Sequence, residues 1–186
     1  KTIIERLQND GSVEGGKDGM DASIISFNAD KSKFTYTAAQ NPIWVVRKNS
    51  PFKKGARGID EENNLTDDKI ASSATLLRND DSDYELIEIK PEKMPIGKHD
   101  KDSVPFVGGE FETQKGDVVY TLTDGFQDQF GGEKGKKFKV RPFKNFLISI
   151  AQLPMQEQKE KLQHTFTSWK GDEEQVDDVC IVGVRI

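Results

Sequence analysis

The sequence predicts an α+β sandwich, and three observations point there. Short strand-patterned runs fill most of the chain, two amphipathic helical stretches follow one another late, and one more apolar run closes it. Strands gathered ahead of a helix pair, with a single strand after it, argue against the strict alternation of a doubly wound parallel sheet. A length of 186 residues suits one domain with a sizeable core.

In chain order, Ile3, Ile4 and Leu7 share a helical face, so 1–8 reads as the tail of a helix. A Gly- and Asp-rich loop follows over 9–19. The spacing predicts strands over 20–27, 34–39 and 43–47, with a polar turn at 28–32 and a break at Asn41-Pro42. Residues 48–83 are charged, rich in Ser, Asn and Asp, and poor in large apolar side chains. They read as a long surface insertion, in part disordered. The strand pattern resumes over 84–89, 107–113 and 117–123. Pro142 opens the first late helix at a position where proline is favoured, with Phe143, Phe146, Leu147 and Ile150 on one face. Pro154 opens the second, with Met155, Leu162, Phe166 and Trp169 on its stripe, which reads as core-facing. The run 179–184 is the closing strand.

Composition narrows the function. The apolar fraction is 34% against 32% charged, and no apolar run approaches the roughly 20 residues a bilayer span needs. The opening segment is too short and too amphipathic for a signal peptide. The chain begins at Lys1 rather than Met, which suggests a piece of something longer. Its net charge of −5 argues against general nucleic-acid binding. Cys180 is the single cysteine, which excludes an internal disulfide and a cysteine zinc cluster; it reads as a small core residue in the last strand, in a reducing compartment.

Several motifs dissolve on inspection. Gly11-Ser12-Val13-Glu14-Gly15-Gly16-Lys17-Asp18 approaches a phosphate-binding loop, but Asp18 stands where Ser or Thr should hold magnesium. The flanking elements are also in the wrong order, helix before and strand after. Asp18-Gly19-Met20-Asp21 lacks the alternating ligands and distal Glu of a calcium loop and reads as a tight turn. His99 and His164 have no ligand partner at helical or hairpin spacing. No Ser/His/Asp set or Cys/His pair offers a covalent nucleophile. The basic loop 131–137 has two readings: a substrate-side patch of Lys134, Lys136 and Lys137 meeting a phosphorylated partner, or a solvated loop.

Two acidic clusters carry more. Asp124 follows the run Val118-Val119-Tyr120-Thr121-Leu122 directly, and Asp177-Asp178 precede the closing strand. If the two strands are antiparallel neighbours, Asp124 and Asp177 meet at the same sheet edge. Converging carboxylates repel unless a cation sits between them, so an oxygen-ligated divalent metal is one reading. A surface Asp-Gly turn is the other.

The ordered set Thr123-Asp124-Gly125-Phe126-Gln127-Asp128-Gln129-Phe130-Gly131-Gly132, Gly135-Lys136-Lys137-Phe138, Trp169-Lys170-Gly171 and Gln175-Val176-Asp177-Asp178-Val179 resembles the bacterial SpoIIE/RsbU-like serine phosphatases. These are a branch of the metal-dependent PPM-type protein phosphatases. Asp18-Gly19-Met20-Asp21-Ala22, Ala39-Gln40-Asn41-Pro42 and Lys93-Met94-Pro95-Ile96-Gly97 fit the same branch in the same order, so the resemblance runs through nearly the whole chain outside 48–83.

The resemblance implies a four-layer α-β-β-α sandwich of two antiparallel sheets, with a manganese or magnesium centre of two ions at one edge. Asp124 matches the family's ligand in its strand-Asp-Gly motif, and Asp177 matches the ligand before the last strand. Asp178 matches the adjacent polar position, and the Gly125 backbone lies beside the metal. In the family the metals activate a water toward phosphorus and neutralise the phosphoryl group. No side-chain nucleophile is then required. The family commonly acts on phosphorylated regulatory proteins behind a sensor region, which implies cytoplasmic signalling; any membrane anchor would lie upstream. The family's first two acidic motifs, one Gly-Asp-Phe-Tyr-like and one Asp-x-x-Gly-His-Gly-like, have no equivalent here. The chain is therefore expected to be the C-terminal portion of the domain, carrying about half of a binuclear site, binding manganese weakly and hydrolysing phosphate esters poorly on its own. The alternative is a truncated or degenerate domain working as a non-catalytic interaction module.

Overall fold

The computed structural model describes residues 19–49, 74–78, 82–97 and 104–186. Its strands and helices, in order, are β1 (Gly19–Met20), β2 (Ala22–Phe27), β3 (Lys33–Ala39), β4 (Ile43–Lys48), β5 (Ala74–Arg78), β6 (Tyr84–Ile89), β7 (Ile96–Gly97), β8 (Gly109–Glu112), β9 (Val118–Leu122), α1 (Gly125–Asp128), β10 (Phe130–Gly131), β11 (Lys136–Lys137), α2 (Val140–Ile150), α3 (Met155–Lys170) and β12 (Ile181–Arg185). The readings of 1–8, the near phosphate loop through Asp18, and His99 lie outside the described residues.

Two antiparallel sheets form the sandwich. The larger has the order β12-β9-β4-β6-β5 and the smaller β2-β3-β8. Successive side chains on a strand point to opposite faces, and here both faces of the larger sheet are covered. Trp44 and Val46 of β4, Leu86 of β6, and Val118, Tyr120 and Leu122 of β9 face the helices, meeting Phe126, Phe143, Leu147, Ile148 and Ile150. Ile43, Val45, Ile87, Ile89 and Val119 face the smaller sheet, meeting Phe34, Ala38 and Phe111. Two-sided burial explains why Ile43-Trp44-Val45-Val46 and Val118-Val119-Tyr120 read as continuous apolar runs. Each fully buried Val, Leu, Ile or Phe among them contributes about 1.5–3 kcal/mol.

The helix pair lies where the periodicity puts it. Pro142 falls in the first turn of α2, and Pro154 immediately precedes α3. Phe143, Leu147 and Ile150 are buried as expected, and Ile148 joins them. Lys144 ties α2 to the sheet: its Nζ lies 2.8 Å from Glu88 Oε1, which also accepts from Trp44 Nε1 at 3.1 Å. On α3, Gln158 is buried because its carboxamide donates to the Ala151 and Leu153 carbonyls and accepts from the Tyr120 hydroxyl. No helix among the described residues is long and apolar enough to cross a membrane.

Three local readings change. The strand expected over 20–27 is interrupted at Asp21, so Met20 pairs with Ile96 while Ala22–Phe27 pairs with β3. The stretch read as an insertion contains β5, an edge strand on β6. Leu76 and Leu77 suffice to hold β5, one packed against each core. Cys180 is exposed and precedes β12 rather than lying in the core. It shares a strand face with Val182, itself 52% exposed, at the uncovered edge of the larger sheet.

Candidate metal centre

The antiparallel pairing of β9 with β12 sets Leu122 opposite Ile181 and Val118 opposite Arg185. The end of β9 and the start of β12 therefore share one edge of the sheet, and each carries its acidic cluster there. Thr123 fastens the two segments. Its backbone N–H donates to the Cys180 carbonyl at 3.0 Å. Its Oγ1 donates to the Asp178 carbonyl at 2.7 Å and accepts from the Cys180 N–H at 2.9 Å. Gly125 brings them closer still: a Cβ there would overlap the Asp178 carbonyl oxygen and lie 2.9 Å from its carbon.

Asp124 occupies the N-cap position of α1, yet its side chain makes no capping hydrogen bond. Its carboxylate faces solvent at the sheet edge. Asp177 and Asp178 are exposed beside it; Asp177 Oδ1 accepts from the Asp178 N–H at 2.7 Å. Asp21, in the break between β1 and β2, belongs to the same neighbourhood. Desolvation, and then the charge of Asp124, raise its pKa above the ordinary carboxylate value. The residue pattern alone left Asp21 in a tight turn; the signal was its place in Asp18-Gly19-Met20-Asp21, which a strand-edge reading of the break would have picked out.

The other candidates sit apart in role. Lys134 is exposed in the turn between β10 and β11, and Lys136 is exposed on β11. Lys137 is already engaged, 2.9 Å from Asp128 Oδ2 and over the Phe130 ring. His164 is exposed on α3. A groove of about 480 Å³ between α3 and β12, lined by Tyr120, Met155, Leu162, Phe166 and Ile181, contains no carboxylate and is not part of the acidic edge.

Exposed carboxylates carried to one sheet edge are the donor class that hard divalent cations take. Asp124 and Asp177 fit such an ion in donor chemistry, with Asp178 alongside. In number they supply part of a coordination set, since no group of three His, Cys, Asp or Glu among the described residues is arranged to hold a metal.

Comparisons with known proteins bear on the family and the fold. The family model for Stage II sporulation protein E (SpoIIE) matches residues 70–186. The SiaA-PP2C domain of Pseudomonas aeruginosa superposes with a TM-score of 0.67 at 21% identity, over 99% of this chain and 58% of that one. This chain thus spans 58% of the length of that domain. The Mn-presoaked phosphatase domain of the cell fate determinant SpoIIE from Bacillus subtilis aligns with a TM-score of 0.49 at 12% identity, over 100% of this chain and 70% of that one. The SiaA likeness shows the PP2C-type sandwich. No curated protein matches the sequence.

Proposed function

The chain belongs to the SpoIIE family of PP2C-type phosphatase domains, and on that premise we propose that it is the C-terminal catalytic portion of a metal-dependent protein serine/threonine phosphatase. The observation that carries this reading is the meeting of the Asp124 and Asp177-Asp178 segments at one sheet edge, fastened by Thr123 and closed over Gly125. Bound manganese or magnesium supplies an activated water and neutralises charge on the phosphoryl group. The chain's own residues present the ligands. Asp124 and Asp177 offer carboxylate oxygens from the segments that leave β9 and lead into β12, which the Thr123 hydrogen bonds hold together, and Asp178 flanks them. Lys134 and Lys136, exposed on the β10–β11 hairpin, offer positive charge to a phosphorylated regulatory protein. The parent protein acts in bacterial cytoplasmic signalling, with a sensor region upstream.

Calorimetric titration with Mn²⁺ tests the centre. Weak binding is expected, and Asp124→Asn or Asp177→Asn should each reduce it at least tenfold, the scale on which lost ligands or their supports are felt. An affinity that both substitutions leave unchanged rejects the metal centre. One observation keeps the interaction-module reading alive: the described residues do not complete a three-ligand group. Manganese-dependent hydrolysis of a phosphoserine peptide by the parent protein, lost in Asp124→Asn, decides for the enzyme. Peptide binding without turnover decides for the module.

A further inference from the structure

We infer that Gln129 is a positioning residue that holds the Asp177 segment in place through its side-chain amide, an inference that rests on the metal-centre reading above. Gln129 is fully buried, at 0% exposure, one residue past the end of α1. Its Nε2 donates to the Glu174 carbonyl at 2.8 Å and to the Phe130 carbonyl at 2.9 Å. Its Oε1 accepts from the Val176 N–H at 3.4 Å. A carbonyl and the N–H two residues later are the pair that one residue of a neighbouring parallel strand would engage with its own N–H and C=O. The carboxamide therefore stands in for a strand beside 174–176, a segment with no ladder of its own.

The base of this clamp is fixed. The Gln129 carbonyl accepts from Trp169 Nε1 and from the Phe138 N–H, each at 3.0 Å. The Trp169 carbonyl in turn accepts from the Gly132 N–H at 2.8 Å. A Cβ on Gly131 would overlap that same Trp169 carbonyl oxygen, so the hairpin seats directly on the end of α3. One short stretch, 124–129, thus begins with a candidate ligand and ends by gripping the loop that carries the other. Removing the amide leaves the Glu174 carbonyl and the Val176 N–H without these partners next to Asp177. Groups bonded directly to ligands change metal affinity by about 10–100-fold, so a backbone support one residue away is expected at the low end of that range.

The test compares Gln129→Met, Gln129→Glu and, as a mild core substitution away from the loop, Ile148→Val. Amide hydrogen exchange at Val176 and Asp178 is read alongside Mn²⁺ affinity. In Gln129→Met, exchange at both amides should quicken about tenfold relative to the β9 amides, and Mn²⁺ affinity should fall about tenfold. Gln129→Glu matches the shape but lacks the donors, so it should not restore either property. Ile148→Val should change neither. The proposal is overturned if Val176 and Asp178 exchange as in the unsubstituted chain in Gln129→Met, or if Gln129→Glu behaves as the unsubstituted chain does, which would make the role one of packing. If exchange responds while Asp124→Asn leaves Mn²⁺ affinity untouched, the clamp stands and the metal-centre reading is what fails.

Discussion

Gly125 lies against the Asp178 backbone so closely that no side chain fits between them. A Cβ would overlap the Asp178 carbonyl oxygen and come within 3.1 Å of Val179 Cγ2. The clash is with backbone, which cannot swing aside as a flexible side chain does. Gly125→Ala must therefore push α1 away from the start of β12 and spread Asp124 from Asp177. Overpacking of this kind costs about 1–3 kcal/mol. Urea unfolding should show that loss, and Mn²⁺ titration should show weaker binding than the stability change alone accounts for.

Thr123 joins the same two segments by hydrogen bonds rather than by contact. Its hydroxyl both donates to Asp178 and accepts from Cys180. Thr123→Val keeps the shape and removes both bonds, leaving the Cys180 N–H without this acceptor. The expected loss is about 1–2 kcal/mol. Thiol-labelling kinetics at Cys180, exposed at this edge, should report faster modification than in the unsubstituted chain. An unchanged unfolding midpoint and labelling rate would show that the hydroxyl contributes nothing there.

The strands of the larger sheet were legible because β4 and β9 are buried on both faces, leaving unbroken apolar runs that only a central strand tolerates. The late helices were legible from their prolines and their 3.6-residue stripe. The antiparallel pairing of β9 with β12, which brings the two acidic segments to one edge, was readable only as a condition, because strand neighbours are set by packing between distant parts of the chain. Cys180 was misplaced for a related reason. An apolar-looking position beside Val182 is buried only if another layer covers it, and the described residues place none over that edge. Gln129 stood in a quoted motif without a role, and Gln158 went unmarked, because a buried amide has no periodic signature; its partners are mostly backbone carbonyls and amides that sequence does not mark.

Asp21 should titrate as a sensor of the acidic edge. Its pKa is raised, first by desolvation and second by the Asp124 charge. Asp124→Asn removes the second cause only, so the Asp21 pKa should fall yet remain above the ordinary value. A divalent cation at Asp124 should lower it in the same direction. With a folded-state pKa above the unfolded one, Asp21 contributes stability that is fully present below the unfolded pKa and lost as pH rises through the folded pKa. Carboxyl-detected NMR titration checks both shifts. An Asp21 pKa that ignores Asp124→Asn would place the two carboxylates in separate neighbourhoods.

At the other end of β9 the carboxylate chemistry is structural. Asp117 is 1% exposed and receives Arg47 through Nε at 3.0 Å and Nη2 at 2.6 Å, while the Gln114 N–H donates to it at 2.9 Å. Arg47 Nη2 also donates to the Glu112 carbonyl at 2.9 Å, so one guanidinium joins β4, β8 and the start of β9. Arg47→Met strands a buried charge, and breaking such a pair costs about 3–5 kcal/mol. Arg47→Met combined with Asp117→Leu should recover much of that loss, because replacing both charges with apolar groups removes the desolvation penalty as well as the attraction. Asp117 and Asp124 stand seven positions apart along β9 and its flanks, at most about 23 Å at 3.3 Å per residue. Metal affinity measured on the folded fraction should therefore be the same in both variants. A fall in Mn²⁺ affinity that the double variant fails to restore would mean that the register of β9, and not only its end, sets the ligand geometry.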